Sequence, residues 1–444
     1  MIEFQIFDKR IYLNPKNGDV SFNLKEIESN DYAINITDFI NNYKPNTYTF
    51  CLSISNACNL NCKYCFNKKK NGTLLDFKTI KKELDFLFDT FNDGEKYFVD
   101  LSGFGEPLLN LNCIVDIAKY CIDKSNNIRK EIIPMLSTNG LLLTPNVAMK
   151  LQDLQVLFGI SIDGNEQNND LNRITNNGEP TFQQILNNIS NIKNREFIGM
   201  TCTLTNNVFN LANSIDEMKK FFKTLSYRFV RDDLLGLDNE STIKWIEQYD
   251  HLVIKLLNEI RKEDFSTIFA LINGDDYFGR YLYKMFGNFR TLNRCDAGIS
   301  KFSFVKDDLY CGCSVQSIDQ KFYYNKDEIK QLQKNKLEEQ CNDCKDCNYK
   351  LYCGGQCPII KDNIENKNYQ CNINKHLIQL AAYLKLMILN ENIDSYKRIY
   401  DFCIEKRNRY KIDEDFNNYL LKHSYLSFIE AKIEYDKIKN RIKY

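Results

Sequence analysis

Histidine is scarce. The 444 residues hold three, His251, His376 and His423, and none lies inside a cysteine cluster, which argues against zinc sites that draw on histidine. Neither charge is in excess: 59 basic residues stand against 59 acidic ones and the pI is near 6.8. The basic surplus that marks nucleic-acid binding is therefore missing, although Lys68, Lys69 and Lys70 keep a local basic face. Long apolar runs are absent too. The most apolar stretch, Leu377 to Leu389, is interrupted by Lys385 and is too short to span a bilayer. Met1 to Phe7 mixes acidic with apolar residues and has neither the charged nor the apolar region of a signal peptide. No internal repeat or low-complexity linker interrupts the chain. These absences lead to the expectation of a soluble, cytoplasmic protein without a membrane span or a nucleic-acid partner.

What the chain has in abundance is cysteine, 17 in all. Cytosolic thiols stay reduced, so such a number implies metal rather than disulfides. The length suggests two or three domains, and 43% hydrophobic residues with 13% aromatics suffice for a buried core.

Residues 1–46 read as a small β-rich segment. Phe4 to Phe7 and Ile11 to Leu13 are short strands, Asn14 to Asp19 is a turn, and Val20 to Leu24 follows. From Thr47 strands alternate with helices. The expected strands are Tyr48–Ile54, Tyr97–Leu101, Ile132–Ser137, Val156–Ile162, Met200–Leu204 and Tyr227–Val230. Between the first two, Ile80, Leu84, Leu87, Phe88 and Phe91 recur at helical spacing. Six strand–helix units predict an α/β fold, a parallel sheet or partial barrel, with chemistry at the carboxyl ends of the strands. The expected organisation is a β-rich segment over 1–46, a barrel core over 47–240 and a helical bridge over 241–294. A loop-rich, cysteine-dense domain over 295–375 and a helical tail over 376–444 complete it.

Directly after the first barrel strand comes Cys58-Asn-Leu-Asn-Cys62-Lys-Tyr-Cys65. Such spacing lets one loop wrap three thiolates around a face of an iron–sulfur cubane. Three ligands for four irons leave one iron open, and an open position marks a reactive metal site. A structural zinc loop competes with this reading, but zinc wants a fourth ligand and nothing suitable sits beside the triad. Three further motifs stand at strand ends: Gly103-Phe104-Gly105-Glu106-Pro107, Ser137-Thr138-Asn139-Gly140 and Ser161-Ile162-Asp163-Gly164, with Arg173 downstream of the last.

Together the triad and these motifs resemble the radical S-adenosylmethionine superfamily over about residues 47–235, with Phe104 a departure from its GGEP motif. The resemblance implies a partial (β/α)6 barrel binding a 4Fe–4S cluster and S-adenosylmethionine. It also implies reductive cleavage of the sulfonium to a 5′-deoxyadenosyl radical that abstracts a substrate hydrogen. It sets Gly105 and Glu106 near the methionine amine, and Ser161 and Arg173 near the carboxylate. Asp163 falls toward ribose or strand-end polarity, Tyr64 against adenine, and Asn139 in the third motif. An external electron donor such as flavodoxin or ferredoxin is implied as well.

The carboxyl-terminal run Cys344-x2-Cys347-x5-Cys353-x3-Cys357, followed by Cys371, resembles the SPASM extension of such enzymes. That extension carries two auxiliary 4Fe–4S clusters. By resemblance Cys344, Cys347, Cys353 and Cys371 bind one, and Cys295, Cys313 and Cys357 bind the other. Cys311 is a possible fourth ligand of the second and a rival to Cys313, and the pattern's glycine is Asp308 here. Cys51, Cys113, Cys121, Cys202 and Cys403 fall in apolar patterns and read as packed free thiols. Enzymes with this extension act mostly on peptides or proteins, so the leading expectation is a maturase that cross-links a ribosomally made precursor peptide. An anaerobic sulfatase maturase is the alternative. Those enzymes carry an aspartate after the cysteine matching Cys313, where this chain has Ser314. An electron carrier without catalysis leaves the strand-end motifs unexplained.

Overall fold

Polar residues that satisfy orphan backbone donors open most helices, and alternating apolar residues mark the strands. The computed structural model describes residues 1–27, 35–68, 70–193, 198–230, 235–305, 308–310, 326–357, 364–408 and 434–436. The amino-terminal strands β1 (Ile2–Ile6), β2 (Lys9–Leu13) and β3 (Val20–Ser21) form an antiparallel sheet in that order. Leu24 lies beyond β3, in a 3₁₀ turn. The expected turn at residues 14–19 is closed by Gly18 N–H donating to the Asn14 carbonyl at 2.8 Å. Helix α1 (Ile36–Asn42) follows, capped by Asn35.

The barrel then runs β4 (Thr47–Leu52), α2 (Phe77–Thr90), β5 (Lys96–Asp100), α3 (Leu111–Ile128), β6 (Glu131–Thr138), α4 (Pro145–Asp153) and β7 (Leu157–Ser161). It continues through α5 (Glu166–Asn172), α6 (Phe182–Ser190), β8 (Gly199–Leu204), α7 (Leu211–Met218) and β9 (Thr224–Phe229). All six expected strands are present, within three residues of their expected ends. Asp76 caps α2 by accepting from Thr79 N–H, and Ile80, Leu84, Leu87 and Phe88 on that helix are buried against the sheet.

A seventh parallel strand comes from far along the chain. After α8 (Asn239–Arg261), α9 (Ser266–Asn273) and α10 (Gly279–Phe286), strand β10 (Lys301–Val305) pairs in parallel with β4, and β11 (Asp308–Tyr310) turns back on it. The sheet order is β11-β10-β4-β5-β6-β7-β8-β9. Phe302 of β10 stacks on Phe91 at 4.2 Å and on Tyr48 at 6.5 Å, completing an aromatic group with Phe50 and Tyr97. At the opposite edge, the α9–α10 connection covers β9. Asp276 accepts from Tyr227 N–H at 2.8 Å, and Tyr277 N–H donates to the Tyr227 carbonyl at 3.1 Å.

On α8 one apolar stripe, Trp245, Tyr249, Leu252 and Leu256, is buried, and the Trp245 indole donates to the Thr205 carbonyl. The cysteine-dense segment holds more helix than its sequence suggested, with α11 (Lys326–Asn342) and α12 (Lys350–Cys353). Helix α13 (Ile364–Glu391) begins before residue 376, so Cys371 lies in a helix, and α14 (Ile393–Asn408) follows. Among the described residues no helix is long and apolar enough to cross a membrane.

Candidate active site

Six parallel strands, β4 to β9, deliver their carboxyl ends to one side of the sheet, and a cavity of about 400 Å³ opens there. That size lies within the roughly 300–1,000 Å³ of small-molecule sites. Cys58, Cys62 and Cys65, all half-buried, face it from the loop after β4, Ser137 and Ser161 face it from later strand ends, and Arg173 from the end of α5.

The cysteine loop is held from several sides. Asn61 N–H donates to the Ile174 carbonyl and Lys63 N–H to the Asn172 carbonyl, so the segment after α5 pairs with it. The Asn176 side chain donates to the Cys58 carbonyl at 3.1 Å, and that of Asn139 to the Asn59 side-chain oxygen at 2.7 Å. Beneath the loop lies the Gly103–Pro107 segment. Glu106 N–H donates to the Ala57 carbonyl at 2.7 Å, and a Cβ at Gly105 would run into that same oxygen. Only glycine allows so close an approach. Gly105→Ala is therefore expected to push the cysteine loop outward, lowering both the melting temperature and the iron taken up on reconstitution. Unchanged values of both would refute this account of the glycine.

Glu106 is buried, at 2% exposure, and its carboxylate is engaged with the protein. It accepts from Leu108 N–H at 3.0 Å, the Thr138 hydroxyl at 2.6 Å and Asn139 N–H at 2.8 Å. Burial raises its pKa, and these three donors oppose the rise. Glu106 thus ties the second strand-end motif to the third.

Tyr64, Asp163 and Arg173 form one network. The Tyr64 hydroxyl donates to Asp163 at 2.5 Å and accepts from Arg173 Nη1 at 2.6 Å, while Asp163 also accepts from Thr203 N–H at 2.9 Å. Asp163 has no exposed surface, and both its oxygens are engaged. Asp163 is bonded to Tyr64, which lines the cavity, and does not itself line it. Burial raises the Tyr64 phenol above its ordinary value, and Arg173 opposes this. Arg173 Nε is buried and has no hydrogen-bond partner, an unused donor on a residue that lines the cavity. Ser137 and Ser161 sit with hydroxyls 3.2 Å apart. Burial raises the Cys58 and Cys62 thiols as well, an effect that binding of metal by the thiolates must overcome.

Several cavity residues escaped the sequence reading. The Ser102 hydroxyl accepts from Ser137 N–H at 2.7 Å, and Thr201, Thr203 and Arg228 line the far wall. Their signal was the alternation of β8 and β9: Thr201 and Thr203 lie between buried Met200, Cys202 and Leu204, and Arg228 between buried Tyr227 and Phe229.

Residues 52–225 match the radical SAM superfamily. The chain belongs to that superfamily. As a radical SAM enzyme it uses S-adenosylmethionine and a 4Fe–4S cluster. It is 34% identical over 209 residues to an uncharacterized protein of Methanocaldococcus jannaschii, a match covering 46% of this chain and 70% of that one. It is 24% identical over 370 residues to a cysteine-type anaerobic sulfatase-maturating enzyme of Clostridium novyi, covering 76% and 97%. Among solved structures, native anSMEcpe with bound AdoMet and Kp18Cys peptide superposes with a TM-score of 0.60 at 18% identity, covering 79% of this chain and 99% of that one. The fold of this radical SAM enzyme is thus the fold of that protein.

The radical SAM enzyme carries a second cysteine group. Cys344, Cys347, Cys353 and Cys371 line one small cavity, with Tyr349 and Gln356. Cys347 N–H donates to the Cys344 carbonyl, a tight turn that sets these two side by side. Gly354, at φ +82°, lies so close to the Asn293 carbonyl that a Cβ would be 2.5 Å away, and α13 supplies Cys371. Two donors reach these sulfurs: Gln356 Nε2 donates to Cys371 Sγ at 3.3 Å and Arg294 Nη1 to Cys353 Sγ at 3.4 Å. Cys295 adjoins Arg294, and its N–H donates to Gln340 Oε1. Cys357 is buried, and Cys311 and Cys313 lie outside the described residues. Cys341 is buried in a separate apolar group with Leu292, Ile299 and Leu337. Cys51, Cys113, Cys121, Cys202 and Cys403 are buried free thiols, as expected.

Proposed function

We propose that this radical SAM enzyme is a maturase that takes a hydrogen from a peptide or protein substrate, the leading product being a cross-link within a ribosomally made precursor peptide. The observation that carries this reading is a pair of cysteine groups in separate places, three thiols at the barrel cavity and four around the small cavity between α12 and α13. Cys58, Cys62 and Cys65 hold the first 4Fe–4S cluster, and Cys344, Cys347, Cys353 and Cys371 a second. A third, on Cys295, Cys357 and Cys313 or Cys311, follows from the resemblance to the SPASM extension. Bound in the barrel, S-adenosylmethionine and the reduced cluster supply a radical able to abstract hydrogen.

The remaining work belongs to the chain. Arg173, with its unused Nε donor, and the paired hydroxyls of Ser137 and Ser161 orient the methionine carboxylate. The Tyr64 ring forms part of the cavity wall, held there by Asp163 and Arg173. Residues at the carboxyl ends of β5 to β9 form one wall of the cavity.

The similarity over 97% of the Clostridium novyi enzyme favours a second reading, oxidation of a substrate cysteine or serine to formylglycine. Anaerobic incubation with precursor peptides encoded beside the gene, and with a sulfatase-derived cysteine peptide, decides between them by mass spectrometry. A cross-link leaves the peptide lighter by two hydrogens with a ring-type fragmentation pattern, whereas formylglycine replaces a thiol with an aldehyde. Release of 5′-deoxyadenosine without any altered peptide or protein would count against both. Reconstituted protein is expected to hold about 12 iron atoms. Cys353→Ala should lose part of that iron and the product, yet retain uncoupled 5′-deoxyadenosine release. Normal product yield would make the second ligand set wrong.

A further inference from the structure

The two cysteine groups differ in what reaches their sulfurs. At the barrel, among the described residues, the thiols accept one backbone donor, Leu60 N–H to Cys58 Sγ at 3.4 Å, and no side-chain donor. At the second group two side chains donate to sulfur, and one of them, Arg294, carries a full charge. Arg294 is held from several directions. Its N–H and that of Cys295 share Gln340 Oε1, at 3.1 and 3.2 Å. Nη1, besides its bond to Cys353 Sγ, reaches the Gly355 carbonyl at 3.4 Å, and Nη2 donates to the Tyr277 hydroxyl at 2.9 Å. The guanidinium thus has a sulfur, a carbonyl and a phenol as partners and, among the described residues, no carboxylate. Lys350 and Lys375 line the same small cavity, and Asp343, beside Cys344, opposes them. Tyr277 in turn packs edge-on against Phe229, with 5.1 Å between ring centres, and Phe229 lines the barrel cavity. Contact therefore runs unbroken from the wall of the reacting cavity through Tyr277 and Arg294 to Cys353 Sγ.

We propose that Arg294 is a tuning residue, which raises the reduction potential of the cluster on Cys344, Cys347, Cys353 and Cys371 and is positioned for this by Tyr277. The inference rests on reading those four cysteines as cluster ligands. One-electron reduction adds a negative charge to a cluster, and hydrogen bonds to the sulfurs and nearby charge are what set its potential. A fixed cation donating to Cys353 Sγ favours the reduced form, and arginine keeps its proton throughout. The barrel group has no such donor, so Arg294 tilts an electron shared between the two groups toward the second.

The test is a potentiometric titration of the reconstituted full-length enzyme, followed by EPR. The second group's signal is the one lost in Cys371→Ala, and the barrel signal is the one that changes on adding S-adenosylmethionine. In Arg294→Gln, which removes the charge, the equilibrium constant for reducing the second group should fall about tenfold, a midpoint lower by about 59 mV for one electron. Arg294→Lys keeps the charge and should stay within about threefold of the native constant. Tyr277→Phe keeps the guanidinium but frees Nη2, and should give a fall between these two. The barrel midpoint should not move in any variant. An unchanged second midpoint in Arg294→Gln would overturn the proposal, as would an equal fall at both groups, since Arg294 would then be supporting the fold. Should Arg294→Gln take up no iron at the second group, Tyr277→Phe decides, and an unchanged midpoint there is equally fatal. A native enzyme with no signal that depends on Cys371 would instead refute the ligand set beneath the inference, so the two failures are distinguishable.

Discussion

Replacing Cys58, Cys62 and Cys65 together with alanine abolishes S-adenosylmethionine cleavage and removes one cluster's iron, while the second cysteine group keeps its own. This is the expected result, because the three thiols come from a single loop and the second group is assembled by α12, α13 and the turn between Cys344 and Cys347. The fold should survive. The three side chains are half-buried, the exchange removes one sulfur each, and the loop keeps its ties from Asn61, Lys63, Asn139 and Asn176. Far-ultraviolet circular dichroism should be unchanged, and iron analysis with quantified 5′-deoxyadenosine gives the answer. Residual cleavage in the triple variant would sink the assignment of the reacting cluster.

Glu106→Ala should cost stability as well as activity. Three donors, Leu108 N–H, the Thr138 hydroxyl and Asn139 N–H, converge on this one buried carboxylate. A buried donor left without a partner costs about 1–3 kcal/mol. The Thr138 hydroxyl can rotate away but the two amides cannot, so the expected loss is about 3–5 kcal/mol, read from the urea midpoint. Glu106→Gln keeps one carbonyl oxygen for Leu108 and Thr138 but turns an amide group toward Asn139 N–H, so roughly half the loss should remain. Because Asn139 also holds Asn59 in the cysteine loop, both variants should take up less iron. An unchanged midpoint in Glu106→Ala would show that the three donors find other partners.

Much of this architecture was legible because periodicity and chemistry agreed. The strand–helix alternation from Thr47 onward located every strand from β4 to β9, and the motif residues fell at their ends. The legibility failed where a position's neighbours come from elsewhere in the chain. Nothing local to Asp163 says that Tyr64, 99 residues earlier, will take one of its oxygens and close it off. Likewise nothing local to Glu106 announces the two donors supplied by Thr138 and Asn139. Lys301–Val305 alternates like a strand, with Phe302 and Phe304 buried, but it sits among cysteines that drew the reading toward loops. Cys371 lines one cavity with Cys344, Cys347 and Cys353, although the helix that carries it could not be seen beginning at Ile364.

The pairing of β10 with β4 has a consequence for the order in which the molecule assembles. Strand β4, which leads into the cysteine loop, gains its second neighbour only when a segment about 250 residues later has been made. At about 5–20 residues per second, that interval lasts on the order of tens of seconds on the ribosome. Throughout it β4 is an open edge, with Tyr48, Phe50 and Phe91 awaiting Phe302. A contact of such long range forms late, so nascent chains halted before residue 301 should present a sticky barrel edge to chaperones. Loading iron into the loop beside β4 before that edge closes would put metal into a half-formed wall. The fold thus favours a sequence of events in which the polypeptide is finished first and the first cluster is inserted afterwards.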